Sequence, residues 1–376
     1  MTTAAPTRPP ILTRPLLLVL VADLGALTSF YLLLSVVPLL TTSTGGAGAA
    51  TAVLMLTTMA AEMVTPRLVA RFGYRRAIAG SLLLLGLPAL VLLASTGMVA
   101  VLAVCLLRGI GFGVMMVAGG ALAAELVPVE RRGEGLGLYG AAVGLPGVVG
   151  LPLGVWLAAH AGFAVVFVAA AATALAGLAA LPGIPGRATD PERPAGVLAG
   201  LRTGAMVRPA LVFGATAMAA GIVVAFLPLA VPGSGVVTLA LLAQSTTATV
   251  ARWLAGRHSD RHGPAALLIP GLLVATAGML TLAVTTDPAA VVAGMALFGI
   301  GFGIAQNASL ATMLGRVRPS GYGTVNAIWS LAYDGGMGLG AAGFGALATW
   351  TGLPLALVAT TLIMLAALLP ARTVVG

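Results

Sequence analysis

Apolar runs of about twenty residues recur along the whole chain, separated by short polar breaks. Twelve can be delimited, at about 15–40, 48–66, 77–95, 98–125, 134–158, 162–182, 209–231, 235–255, 265–285, 288–314, 321–347 and 352–370. A run of roughly 20 apolar residues crosses the hydrocarbon core of a bilayer as a helix. Backbone groups find no water there, so a spanning segment must satisfy its own hydrogen bonds. No period-two alternation of the kind a barrel strand needs is visible. The pattern predicts an all-α membrane protein with twelve transmembrane helices. The first run, Pro15 to Leu40, is interrupted only by Asp23 and is too long for a signal-peptide core. It is expected to be retained as a span.

The polar breaks are of two kinds. All 19 basic residues are arginine, and 17 lie on alternate connections: Arg8, Arg14, Arg67, Arg71, Arg75, Arg76, Arg131, Arg132, Arg187, Arg193, Arg202, Arg208, Arg257, Arg261, Arg316, Arg318 and Arg372. The intervening connections, Thr41–Ala47, Thr96–Gly97, Ala159–Ala161, Pro232–Ser234 and Thr286–Asp287, carry none. Arg108 and Arg252 fall inside apolar runs. Such sidedness predicts cytoplasmic termini and a multi-pass protein of the cell's inner (plasma) membrane. The net charge of +9 then reflects topology rather than a nucleic-acid partner. Charged residues make up 8% of the chain, against roughly a quarter in soluble domains. The one cysteine, Cys105, excludes an internal disulfide framework and reads as a buried apolar residue.

A shift of 190 residues superposes Gly109-Ile110-Gly111-Phe112-Gly113 on Gly299-Ile300-Gly301-Phe302-Gly303. The same shift aligns Arg71 with Arg261, Gly73 with Gly263, Pro38 with Pro228 and Gly150 with Gly340. One constant offset for all of these indicates duplication. It predicts two pseudo-symmetric six-helix bundles, residues 1–182 and 209–376. A Pro-, Gly- and Arg-rich cytoplasmic linker, 183–208, joins them and has room for a short surface helix. Parallel repeats of this kind are a transporter architecture.

Two connections carry a more specific pattern. One reads Gly256-Arg257-His258-Ser259-Asp260-Arg261-His262-Gly263; the other runs Pro66-Arg67-Leu68-Val69-Ala70-Arg71-Phe72-Gly73-Tyr74-Arg75-Arg76. Both resemble the cytoplasmic signature loop of the major facilitator superfamily, Gly-x-x-x-Asp-Arg-x-Gly followed by basic residues. Arg108, directly before the glycine-rich 109–113 stretch, is similar to that family's fourth-helix motif, about one turn displaced. The resemblance implies alternating access between two bundles. It implies a cytoplasmic latch at Gly256, Asp260, Arg261 and Gly263, and at Arg71 and Gly73 in the first half. There Ala70 and Pro66 replace the family's Asp and first Gly, so Glu62 is an alternative acid for that half. The fifth helix carries Gly137, Gly140, Gly144, Gly147, Gly150 and Gly154 at spacings of three and four, one smooth face for close contact. With Pro146 and Pro152 it loosely resembles an exporter motif, and ordinary packing accounts for it equally well.

Ionisable residues inside spans are costly and mark function by default. Five qualify: Asp23, Glu62, Arg108, Arg252 and Asp334. Asp23 is the first choice for proton coupling, with Asp334 and Glu62 as further candidates. Asp23 and Arg108, on two helices that line the cavity in this family, are expected to form a switchable ion pair; a static pair fixing register is the plainer reading. Arg252 lies near the arginine-bearing face and is assigned to the gate. Ser29, Tyr31, Arg108, Met115, Met116, Met218, Gln306, Asn307 and Trp329 are candidate substrate contacts, although each Met reads equally as packing.

The expectation is a proton-coupled exporter of small lipophilic or amphipathic molecules, acting as a monomer without cofactor or metal. Its partners are the substrate, protons and the lipid bilayer, and no nucleic acid. Import or uniport of a small neutral metabolite such as a sugar is the alternative. An embedded enzyme or a transport-inactive sensor is more remote, because His160, His258 and His262 all lie at the ends of spans and the chain has no nucleotide-loop lysine.

Overall fold

The computed structural model describes residues 10–40, 44–186, 196–230, 234–282 and 287–375. Arg8, Arg187 and Arg193 lie outside these, as do parts of the linker and of three arginine-free connections. Twelve long helices follow one another: α1 (Arg14–Leu34), α2 (Thr44–Phe72), α3 (Tyr74–Ala94), α4 (Met98–Leu126), α5 (Arg132–Ala161), α6 (Phe163–Ala176), α7 (Gly204–Ala230), α8 (Ser234–His262), α9 (Leu268–Thr281), α10 (Pro288–Leu314), α11 (Tyr322–Thr351) and α12 (Leu353–Ala366). No strand occurs among the described residues.

Among the described residues, nine of these are long and apolar enough to cross a membrane, and α9 is a shorter apolar helix. α8 carries Gln244, Ser245, Thr246, Thr247 and Arg252, and α11 carries Asn326, Ser330 and Asp334. Asn326 and Ser330 are buried, Gln244, Ser245, Thr247, Arg252 and Asp334 half-buried, and Thr246 exposed.

The duplication is visible element by element. Under the 190 shift α2 becomes α8, α5 becomes α11 and α6 becomes α12, end for end. Four glycines alone have positive φ among the described residues: Gly73 (81°) and Gly263 (83°), Gly162 (87°) and Gly352 (77°). Each pair is one position of the repeat. Each is a one-residue turn between helices that a Cβ would strain. The GIGFG stretches serve identical joints. A Cβ on Gly109 would run into Leu54 and Thr57 of α2, and one on Gly299 into their counterparts Gln244 and Thr247 of α8. These glycines let α4 meet α2, and α10 meet α8, backbone to backbone.

Two apolar cores result. One is built on α1–α6 with the arginine-side ends of α10 and α11; the other is built on α7–α12. Several helices differ in length from expectation. α1 stops at Leu34, and a short helix, Val37–Leu40, follows. α2 and α8 run on to Phe72 and His262, so the signature stretches are helical up to their last glycine. Hydropathy marks only the part of a helix inside lipid, and these ends project beyond it. A short helix, Val197–Gly200, occupies the linker with Val197 and Gly200 buried. Arg75 donates to the carbonyls of Pro182 and Ile184 and pins the linker's start.

Candidate functional site

The arginine-bearing ends of the two bundles are joined. Asp260, near the end of α8, accepts from the amides of Gly133 (2.6 Å) and Glu134 (2.9 Å) at the start of α5. A carboxylate is favoured at a helix N-terminus, where amides lack partners and the dipole is positive. Gly256 sits one turn earlier on α8, so close to Gly133 that a Cβ on either would overlap the other's backbone. Gly256 therefore serves close approach rather than a turn. Burial at this joint raises the Asp260 carboxyl above its ordinary value of 3.8, while the two N–H donors pull it down. Desolvation and hydrogen bonding thus oppose each other, which suits a contact that must open. Asn307 of α10 donates to Gly133 O (3.0 Å), and Arg132 donates to the Tyr322 hydroxyl.

Other expected latch residues stay apart from this joint. Arg71 and Arg261 are exposed; Arg71 lies over the ring of its neighbour Phe72. Gly73 and Gly263 form the turns. At the repeat-related α2–α11 contact, a Cβ on Gly323 would meet Pro66 at an ordinary 3.5 Å. Ala70, at the position of Asp260, has no acceptor to offer α11.

Deeper in, the bundles separate. On α5, Gly133, Gly137 and Gly140 lie against α8, whereas a Cβ on Gly144 would meet open space; Gly147, Gly150 and Gly154 pack on α1. On α11, Gly335 and Gly338 also face open space.

Three acids were expected inside the spans. The carboxyl groups of Glu62 on α2 and Asp334 on α11 lie within electrostatic reach of one another across the bundle boundary. Glu62 is 1% exposed, and its Oε2 has no partner. Asp23 accepts from the Tyr139 hydroxyl (2.7 Å) and packs on Gly119 of α4. All three of those residues belong to the first bundle.

The expected Asp23–Arg108 pair is not formed. Gly119, which carries Asp23, lies eleven residues from Arg108 along α4, or about 16 Å at about 1.5 Å per residue. Arg108 is 3% exposed and donates to Ser29 O (2.7 Å), Ser29 Oγ (3.3 Å) and Leu85 O. It ties α4 to α1 and α3, which also removes Ser29, fully buried, from the candidate substrate contacts.

The remaining candidates divide by burial. Met115 is core, at 1% exposure, and Asn307 belongs to the closed end. Tyr31, Met116, Met218, Gln306 and Trp329 are half-buried. Tyr31 lies within electrostatic reach of Asp334 in the other bundle. Trp329 donates to Ser309 Oγ (3.0 Å) and stacks on Phe213, 4.4 Å between centroids at 10°. Arg252, assigned to the gate from sequence, lies instead against Gly140 and over the Trp329 ring at 5.8 Å. Tyr139 and Tyr333 were not singled out as site residues, although Tyr139 borders the glycine face and Tyr333 precedes Asp334.

Two repeat-related six-helix bundles joined at their arginine-bearing ends define a twelve-helix class of membrane protein. The family model of the Major Facilitator Superfamily matches residues 19–341. The chain belongs to the major facilitator superfamily and is a multi-pass membrane protein. Its fold is similar to that of the human organic anion transporter MFSD10 (TETRAN), with TM-score 0.80, 19% identity, and coverage of 97% of this chain and 100% of that one. It is also similar to the Escherichia coli fucose:proton symporter FucP, with TM-score 0.75, 16% identity, and coverage of 96% and 98%. No curated protein matches by sequence.

Proposed function

We propose that this chain is a proton-coupled exporter of small lipophilic or amphipathic organic molecules, working by alternating access. One observation carries the coupling: Glu62 and Asp334 meet carboxyl to carboxyl where the bundles part. Two ionised carboxylates held close in a buried site repel one another, so the pair is most stable when it holds one proton. That proton is held jointly by the two bundles. Swinging α2 from α11 leaves each acid without its partner and releases the proton on the other side. Asp23, the first choice from sequence, is held within one bundle, so rocking changes its surroundings less.

The half-buried Tyr31, Met116, Met218 and Trp329 suit lipophilic solutes. With the arginines in the cytoplasm of a plasma-membrane protein, both termini are inside and the joined end faces the cytoplasm. Import of a small neutral metabolite is the second reading, favoured by the fold likeness to a fucose:proton symporter.

The test is substrate-driven proton movement in proteoliposomes over a panel of lipophilic cations, organic acids and sugars. Proton movement opposite to the substrate supports export, and movement with it supports the second reading. Substrate flux with no proton movement leaves a carrier and removes the coupling.

A further inference from the structure

Two guanidinium groups lie deep in the helices, and only one is spoken for. Arg108 is saturated by Ser29 and Leu85. Arg252 makes no hydrogen bond or ion pair among the described residues. Its Nε is buried without a partner, while the residue as a whole remains partly exposed. A guanidinium has five donors in a planar fork and cannot shed its charge. Leaving one unpaired in a protein interior is expensive, so such a site calls for an anion.

Carboxylates of the chain itself do not fill the need. Asp334 lies within electrostatic reach of Glu62, and Asp23 accepts from Tyr139. The acids at the closed end, Glu134 and Asp260, are joined to Arg131 and to the α5 amides.

The surroundings of Arg252 are built from both bundles. Gly140 of α5 supplies the space; a Cβ there would overlap the guanidinium. Trp329 of α11 lies beneath it, with its indole fixed by Ser309. The hydroxyls of Tyr139 and Tyr333 lie within electrostatic reach from either side. Phe213, Trp329 and Tyr333 stand nearly parallel: 10° for Phe213 against each of the other two, and 7° for Trp329 against Tyr333. Phe213 is fully buried, and the half-buried Trp329 and Tyr333 are the members of this stack open to a ligand. One turn beyond Gly140, at Gly144, a Cβ would meet open space, and Arg252 itself is partly exposed.

We propose that Arg252 seats the carboxylate of the transported molecule, whose planar apolar body lies against Trp329 and Tyr333. The substrate class is then an aromatic or similarly flat organic monoanion. This deepens the transporter reading and rests on it only for the direction of movement. A bidentate guanidinium–carboxylate contact gives charge and geometry together, and the two rings add stacking area.

The test uses the purified full chain in lipid nanodiscs and calorimetric titration with three probes of one shape: 2-naphthoate, 2-naphthamide and 2-naphthylmethylammonium. The wild-type chain is expected to bind the carboxylate about 10- to 100-fold more tightly than the amide, the range of a charge-assisted pair. The cation should bind weakest. Arg252→Gln should remove that preference while leaving amide binding within about twofold. Arg252→Lys, which keeps charge without the fork, should retain part of it. Equal binding of carboxylate and amide by the wild-type chain, preference for the cation, or undiminished preference in Arg252→Gln would overturn the assignment. The wild-type comparison stands even if Arg252→Gln fails to fold. Carboxylate binding without proton movement in proteoliposomes would remove the coupling and leave the seat intact. Proton movement driven by the amide alone would do the reverse.

Discussion

The two contacts that close the arginine-bearing end, α5–α8 and α2–α11, occupy one position of the internal repeat and are built from different chemistry. At α5–α8, Asp260 caps α5 and Gly256 lies backbone to backbone on Gly133. At α2–α11, Pro66 and Ala70 stand in the equivalent places and make only ordinary contact. Deeper in, the contrast inverts. Glu62 of α2 meets an acid, Asp334, whereas its repeat partner Arg252 meets a glycine and an indole. One interface carries the Asp260 cap and Arg252; the other carries two facing acids, Glu62 and Asp334. A duplicated scaffold supplies symmetric motion, and substitutions at matched positions divide the tasks within it.

The largest effect should come from breaking the acid pair. Glu62→Gln or Asp334→Asn replaces a proton-sharing contact by an amide–carboxyl bond that needs no exchangeable proton. Substrate-driven proton movement in proteoliposomes is expected to fall to background for either variant. Asp23→Asn, whose partner Tyr139 can still donate to the amide oxygen, should keep more than half of it. Equal loss in all three would return Asp23 to the coupling role and dissolve the contrast between the interfaces.

Gly133→Ala and its repeat counterpart Gly323→Ala test the latch directly. A Cβ at 133 overlaps Gly256 and the Asp260 carboxylate, whereas one at 323 finds Pro66 at 3.5 Å. Overpacking costs about 1–3 kcal/mol, so Gly133→Ala should move the closed-to-open ratio roughly 5- to 150-fold. Gly323→Ala should stay within about 0.5 kcal/mol of wild type. Spin labels at the exposed positions 130 and 262 report the separation, after replacement of the one buried cysteine, Cys105. Similar distance distributions for the two variants would show that the interfaces are mechanically alike.

How much of this was legible in the chain follows from where each signal resides. Spans, sidedness and the 190-residue repeat are periodic properties of the sequence. The Asp260 latch was legible because capping is local chemistry at a helix end. The partners of Asp23, Arg108 and Arg252 were not. They are fixed by helix rotation and by which backbones come together, so Arg108 spends itself on the carbonyls of Ser29 and Leu85, groups every residue possesses. Arg252 rests on Gly140, one of six spaced glycines that look alike in sequence. The same 190 offset places Glu62 opposite Arg252 in the sequence itself and, carried further, Arg132 opposite Tyr322.

A smaller change separates charge from close approach. Asp260→Ala leaves the Gly256–Gly133 contact intact and removes two acceptor oxygens. Losing a cap costs about 0.5–2 kcal/mol, so the same label pair should show a shift of roughly 2- to 30-fold toward the open form. Asp260→Asn, which can still accept one bond, should fall between. An unchanged distribution in Asp260→Ala would assign the latch to glycine packing alone.

The smallest effect is expected from installing what α2 lacks. Ala70→Asp places a carboxylate at the repeat position of Asp260, facing the first amides of α11, Gly323 and Thr324. By itself it should favour the closed form by less than about 0.5 kcal/mol, at the low end of dipole effects. Pro66 keeps α2 at ordinary distance from Gly323, where Gly256 lets α8 press against Gly133. Proline also removes a helical N–H and kinks its helix, so Pro66→Gly should relax that spacing. Neighbouring changes that depend on one another are non-additive. The double variant Pro66→Gly, Ala70→Asp should therefore close the α2–α11 end by more than the two single changes combined. Spin labels at positions 72 and 320 read this. Strict additivity would mean that the missing acid, and not the proline, sets the difference between the two interfaces.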